Sequence, residues 1–223
     1  AVQGVSVVEL SQAESGAWSM VVGSPFNRRI DNNTPMLLSG PAAGHPLLQT
    51  AADPTGTRVL GTLNNCGAGR TPWGTYLTCE ENWNGYFGSS DPDLALPDGF
   101  DRYGIAHESG YAYERFDARF DLARNPNEPH RFGYVVEIDP ADPTSTPVKR
   151  TALGRIKHEN AAAVLAPDGR VVVYMGDDER GEFLYRYVSR DAYVPGGDTS
   201  TLLDEGQLSV RASTRTAPAS GWP

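Results

Sequence analysis

Residues 161–177 read AAAVLAPDGRVVVYMGD, two apolar runs joined by Pro167, Asp168 and Gly169. Val and Tyr favour a pleated backbone and Pro-Asp-Gly favours a tight turn, so the pattern predicts a β-hairpin. Outward from it, YVVEIDP (134–140), VKRTAL (148–153) and GEFLYRYV (181–188) are further strand candidates bounded by turn residues. Short strands in succession, separated by turns, make the unit of a propeller blade, with a sandwich as the alternative. The expected fold class is all-β, part of a β-propeller with long irregular loops.

The chain has 223 residues, enough for one large or two small domains. Hydrophobic residues make up 39%, and 24 Gly and 17 Pro indicate a loop-rich protein without a membrane-spanning run. A formal net charge of -9 argues against a nucleic-acid partner and suits a protein that collects cations. Only Lys149 and Lys157 are lysine; arginine supplies every other basic position except histidine. The sequence starts directly on an alternating strand, VQGVSVVEL, so the expectation is that a natural amino-terminal part, with any export signal, lies outside it.

Residues 5–10 and 18–22 are strand candidates joined by the polar turn SQAESGA, which fits a hairpin. A long loop, residues 24–47, follows, and its Arg28 and Arg29 read as a solvated surface pair. Residues 57–63 form a further strand candidate. After residue 88, DPDLALPDG lacks the alternating ligands and closing Glu of an EF-hand loop, so calcium is not assigned there. Residues 113–123 are compatible with one short, charge-laced helix.

The densest chemistry lies in residues 61–88, GTLNNCGAGRTPWGTYLTCEENWNGYFG, which hold both cysteines and two of the four tryptophans. Residues 75–78 read as a strand that delivers Cys79, Glu80 and Glu81 at its tip, where sheet proteins commonly place reactive groups. Three readings fit: a metal-ligand cluster of mixed softness, a buried thiol beside two solvated acids, or a Cys66–Cys79 disulfide. Alternation along an extended strand puts Cys79 and Glu81 on one side and Glu80 on the other. A second knot, GRIKHENAAAV (154–164), sets His158, Glu159 and Asn160 before an apolar strand; His158 alone reads as a hydrogen-bonded loop histidine. In GDDERGE (176–182), Glu179 reads as a solvated hairpin tip, while Asp177 stays open as a ligand for a hard cation. No nucleophilic triad, P-loop or dinucleotide-binding glycine pattern is present.

TLNNCGAGRTPWGTYLTCEENWNGYF (62–87), the run from Arg131 to Ser189, and SPFNRRIDNNTPMLLSGPAAGH (24–45) resemble the PhoX-type bacterial alkaline phosphatases. TPWGTYLTCEEN is the most specific of these motifs. The resemblance implies an exported protein, periplasmic or secreted, typically by the twin-arginine route. It further implies a β-propeller that hydrolyses phosphate monoesters with a ferric iron and calcium (Fe3+, Ca2+) cluster, the attacking group being a metal-bound oxygen. Carried over residue by residue, it implies Cys79 as an iron ligand, Glu80 as a calcium ligand and Glu159 as a metal ligand. Glu81 and Asp177 are further candidates. Asn64 or Asn65, in the turn before Cys66, is a candidate donor to the substrate phosphate, the alternative being a purely structural Asn-Asn turn. Several cations together neutralise a phosphoryl group, which explains clustered acids in a phosphatase site.

Members of the family are longer, and their remaining ligands and a phosphate-contacting arginine lie beyond the part matched here. The likeness runs to about residue 208, giving a partial PhoX-like domain at 1–208 and an unrelated-looking tail at 209–223. That Arg/Ala/Thr/Pro-rich tail is what a G/C-rich coding stretch gives when read out of frame, so a frameshift near Val210 is expected. The alternative to an enzyme is a non-catalytic calcium-binding or structural β-fragment. Lactonase chemistry, known from other calcium propellers, is a third reading.

Overall fold

The computed structural model describes residues 3–211, with strands and short 3-10 turns as its regular structure. β1 (Val5–Val7) pairs antiparallel with β4 (Arg28–Ile30), while β2 (Leu10–Gln12) and β3 (Trp18–Met20) form the hairpin expected around SQAESGA. The single strand expected over residues 5–10 is thus divided. The break is held from the loop side: Glu9 donates its amide to Asn27 Oδ1 at 2.7 Å, and the Ser24 hydroxyl donates to the Glu9 carboxylate. Arg28 also departs from the solvated-pair reading. Its guanidinium donates to the Ser145 carbonyl at 2.8 Å, to Ser145 Oγ at 2.9 Å and to the Asp139 carbonyl, tying β4 to the loop at 139–145.

Six strands form the central sheet: β5 (Pro35–Ser39), β6 (Arg58–Leu60), β7 (Asn65–Arg70), β8 (Tyr76–Glu80), β9 (Val135–Ile138) and β10 (Val148–Arg150). Their spatial order is β6-β5-β10-β9-β8-β7, with β10 and β5 parallel and the other pairs antiparallel. A second sheet is an antiparallel meander of β11 (His158–Leu165), β12 (Arg170–Asp177), β13 (Leu184–Ala192) and β14 (Gly206–Arg211). The hairpin over residues 161–177 is therefore present, with Val164 facing Val172. The grouping of strands differs from expectation: the strands at 135–138 and 148–150 join the six-stranded sheet, and the meander takes its fourth strand from residues 206–211. β14 pairs Ser209 with Arg186 and Val210 with Tyr185. Residues 212–223, most of the tail ascribed to a frameshift, lie outside the described residues.

The helix expected at 113–123 is two 3-10 turns, Tyr113–Arg115 and Ala118–Phe120. Asp117 separates them: its backbone is extended, and its carboxylate caps the second turn by accepting from the Arg119 amide at 2.9 Å.

Two cores result. One is aromatic, with Trp83, Tyr86, Phe87, Phe120 and Phe132 buried against Leu63 and Met36. The other lies between the sheets and contains Leu77, Cys79 and Val135 from the first and Ala161, Val171, Val173 and Met175 from the second. β7 crosses closest to β11. A Cβ at Gly67 would overlap the Glu159 carbonyl oxygen, and one at Gly69 would overlap that of Ala161, so both positions require glycine.

Gly69→Ala is expected to destabilise the fold by roughly 1–3 kcal/mol, the usual cost of overpacking, seen as a lower urea midpoint; an unchanged midpoint would contradict this contact. Burial pushes His130 and His158 down to about 4 from 6.5. Below pH 6.5 the unfolded chain binds protons that the folded chain refuses, so stability is full above that pH and is lost as pH falls toward 4. Tm should fall between pH 7 and pH 5, and less so in His130→Gln.

Candidate metal centre

The upper ends of β8 and β12 and the start of β11 meet beside the bulge in β7. The bulge lies between Asn65 and Ala68, where Cys66 and Gly67 together face β8. A second bulge, between His158 and Asn160, leaves Glu159 outside regular pairing. Both devices re-aim side chains at a strand end. Asn64 has a left-handed backbone, φ 46°, and its carbonyl accepts the Glu81 amide at 3.2 Å, which joins the β7 entry to the β8 exit.

Cys66 is exposed and Glu81 half-buried. Partial desolvation, then the neighbouring Glu81 charge, then that of Glu159, raise the Cys66 thiol above its ordinary value. Burial, then the adjacent Asp178 carboxyl, raise Glu81 above the usual carboxylate range. Gly67 lies against the Glu159 carbonyl and the Glu81 amide is bonded to Asn64, so Cys66, Glu81 and Glu159 open at the same strand ends, with Asp178 beside Glu81.

The structure turns several sequence candidates away from this neighbourhood. Because β8 continues through Glu80 instead of ending before Cys79, alternation sends Cys79 into the core between the sheets, where it is fully buried. Burial pushes its thiol up to about 12, so it stays a protonated, apolar-lodged group. Both cysteines are free. Glu80 points to the opposite face and is also fully buried. Its Oε1 accepts from Lys149 Nζ at 2.7 Å and the Leu63 amide at 3.3 Å; Oε2 accepts from the Gly133 and Tyr134 amides at 2.9 and 3.1 Å. With four donors on two oxygens, it has no lone pair to offer an ion.

Asp177 is likewise engaged, by Arg102 at 2.9 Å and the Lys157 amide at 3.2 Å. Its neighbour Asp178 is the acid beside Glu81. Glu179 is paired with Lys157. His158 is buried, its Nε2 against the Gly154 carbonyl at 3.0 Å, and it begins a strand instead of lying in a loop. The Asn65 amide nitrogen is committed to Thr62 Oγ1 at 2.8 Å and Thr78 Oγ1 at 3.1 Å. The Asn64 amide makes only a long contact, 3.4 Å, to Tyr111 Oη, and so remains available to a ligand.

The sequence alone assigns no ligand role to Cys66 or Asp178. The overlooked signal is the alternation Cys66-Gly67-Ala68-Gly69: glycines on one face mark the side abutting backbone, so the cysteine belongs to the open side. The donor set suits a cation chemically, because a thiol and carboxylates crowded together raise one another's pKa and a positive charge relieves that. Asn65 Oδ1 adds a buried acceptor without a donor, one residue from Cys66. Among the described residues, no three His, Cys, Asp or Glu side chains converge on a common point as they stand.

The sequence profile of the family described as "Alkaline phosphatase PhoX" matches residues 1–222. The solved structure of Pseudomonas fluorescens PhoX in complex with vanadate, a transition state analogue, is similar with a TM-score of 0.89 and 55% sequence identity. The likeness covers 93% of this chain and 36% of that one, so the chain spans little more than a third of the relative's length. No curated protein matches.

Exposure and burial predict a divided thiol chemistry. Brief iodoacetamide treatment of the folded protein, followed by peptide mapping, should label Cys66 alone, with Cys79 labelled only after denaturation. Labelling of both at equal rates would contradict the inward placement of Cys79.

Proposed function

Since the chain belongs to the PhoX alkaline phosphatase family, we propose that it carries one wall of a phosphomonoesterase site that works with bound calcium and ferric iron. The observation behind this is that the bulges at Cys66 and Glu159 and the Asn64–Glu81 backbone bond bring Cys66, Glu81 and Glu159 to the same strand ends, with Asp178 beside Glu81. Cys66 is the thiol that would hold iron, the soft donor among hard ones, and Glu81, Glu159 and Asp178 are the oxygen donors. Asn65 Oδ1 is a further oxygen within the same turn. When bound, the cations supply charge neutralisation and Lewis acidity at the phosphoryl oxygens.

The chain's own groups have three tasks. Glu81, which burial and the adjacent Asp178 carboxyl raise above the usual carboxylate range, would present its carboxylate to a cation, whose charge would offset that crowding. Asn64, whose side-chain amide makes only a long contact and whose carbonyl stays on the Glu81 amide, would offer its amide N–H to a substrate oxygen. The turn between Leu63 and Cys66 sets the spacing of thiol and carboxylate. The vanadate held by the relative is an oxyanion like phosphate, which supports an oxyanion substrate here.

The two larger sheets are read as blades of a propeller, a reading supported by the β11–β14 meander and by the likeness to PhoX. Export to the periplasm or beyond belongs to the same reading. No helix among the described residues is long and apolar enough to cross a membrane. Because the chain spans 36% of the relative, turnover by this chain alone is the demanding part of the proposal, and cation binding the minimal part.

Metal content after reconstitution with calcium and ferric salts, together with phosphate release from a chromogenic phosphate ester, tests both. Cys66→Ala should lose bound iron and any turnover by at least tenfold, and Cys79→Ala should keep both. The opposite pattern would overturn the proposed ligand set; metal bound without turnover would leave a non-catalytic cation-binding fragment.

A further inference from the structure

Glu80 and Glu81 are adjacent in sequence but serve different environments. The Glu80 carboxylate is fully buried and tied to three backbone amides, from two segments, and one ammonium. Lys149, itself fully buried, donates a second bond to the Arg131 carbonyl at 3.0 Å and lies 3.7 Å from the centroid of the Phe132 ring. Its ammonium occupies the place beside Glu80 that a cation would need.

The segments that Glu80 ties are the ones that lead into the candidate centre. Leu63, whose amide it accepts, opens the run Leu63-Asn64-Asn65-Cys66 that ends on the thiol. Asn65 is the cross-strand partner of Glu80, and Asn64 accepts the Glu81 amide. At the other side, the Gly133 and Tyr134 amides lead into β9, and the Glu80 amide returns a bond to the Tyr134 carbonyl at 3.2 Å. One buried carboxylate therefore fixes both routes to the donors: Glu81 along its own strand and Cys66 across the sheet. Replacement of a buried ion pair by apolar residues is often neutral or stabilising. Here three inward-facing backbone amides require an anionic acceptor, and Lys149 neutralises it.

We propose that Glu80 is a positioning residue of the centre, setting the separation of Cys66 from Glu81 through its bonds to Leu63, Gly133, Tyr134 and Lys149, and that it is not itself a ligand. This rests on the metal-centre reading above. It accounts for a charge pair at the base of the site that no ion or substrate reaches.

Cobalt(II) is the probe, because its thiolate charge-transfer absorption reports bonding to sulfur. In the wild-type chain a band that Cys66→Ser abolishes establishes the centre; no band in the wild type overturns the metal-centre reading and the role of Glu80 with it. Given the band, Glu80→Gln is expected to weaken cobalt binding at least tenfold. The double variant Glu80→Gln/Lys149→Met leaves no charge unpaired and carries the test where the single variant folds poorly. A Leu202→Ala variant with the same loss in Tm, altered in the core away from Glu80, is expected to bind as the wild type does. Unchanged binding in the Glu80 variants, or equal weakening in Leu202→Ala, overturns the positioning role while leaving the centre in place. Lys149→Met separates positioning from ligation: tighter cobalt binding would show a freed Glu80 acting as a ligand and overturn the proposal, whereas weaker binding supports it.

Discussion

The close approach of β7 to β11 is the constraint on which the rest of the arrangement depends. Side chains at positions 67 and 69 would collide with carbonyl oxygens of β11, so two glycines let one strand's backbone lie against another's. This contact joins the six-stranded sheet to the meander and lets Leu77, Cys79 and Val135 share a core with Ala161, Val173 and Met175. It also brings the bulge at Cys66 beside the bulge at Glu159, two irregularities about ninety residues apart in sequence that become one site. A larger residue on that face would separate the sheets and the donors together.

Regular periodicity was legible in the sequence, and long-range pairing was not. The hairpin at 161–177 and the strand leading to Cys79 follow from local patterning and turn residues, which need no knowledge of neighbours. The grouping of strands was misjudged because β9 and β10 pair with β8 and β5, elements 55 residues or more away by register, in preference to the nearby hairpin. The helix at 113–123 was lost to one competing cap at Asp117. For the site, the motif and its alternation are legible in the sequence, and the length of the strand is not. Ending the strand before Cys79 left that thiol free; extending it through Glu80 sends Cys79 and Glu80 to two opposite interiors, and Glu81 becomes the first residue released.

The meander shows how a chain that spans a third of its relative distributes apolar surface. Its inner face, with Val171, Val173, Met175 and Tyr187, is covered by the first sheet. Its outer face leaves Val164, Tyr174 and Leu184 between 41% and 48% exposed, bordered by Arg170, Arg186 and Arg190. Alternation explains both faces at once: successive residues of the same strands point to opposite sides, and among the described residues one side is covered while the other is open.

Electrostatics separates the acids by the same alternation. Glu80 and Glu137 are buried and matched, the first by Lys149 and the second by Arg150, Trp73 and Thr75, so their charge is spent on holding strands in place. Glu81, Glu159 and Asp178 emerge at the strand ends with no cation among the partners described for them, and Glu81 responds with a raised pKa. A net charge of -9 does not by itself say which acids are paired. Glu80 and Glu137 are neutralised by partners within the fold, and Glu81, Glu159 and Asp178 have no such partner among those described. Two adjacent carboxylates, Glu80 and Glu81, divide along that line: one is locked among buried partners and the other opens at the strand end, and a shift of one residue in the strand would exchange them.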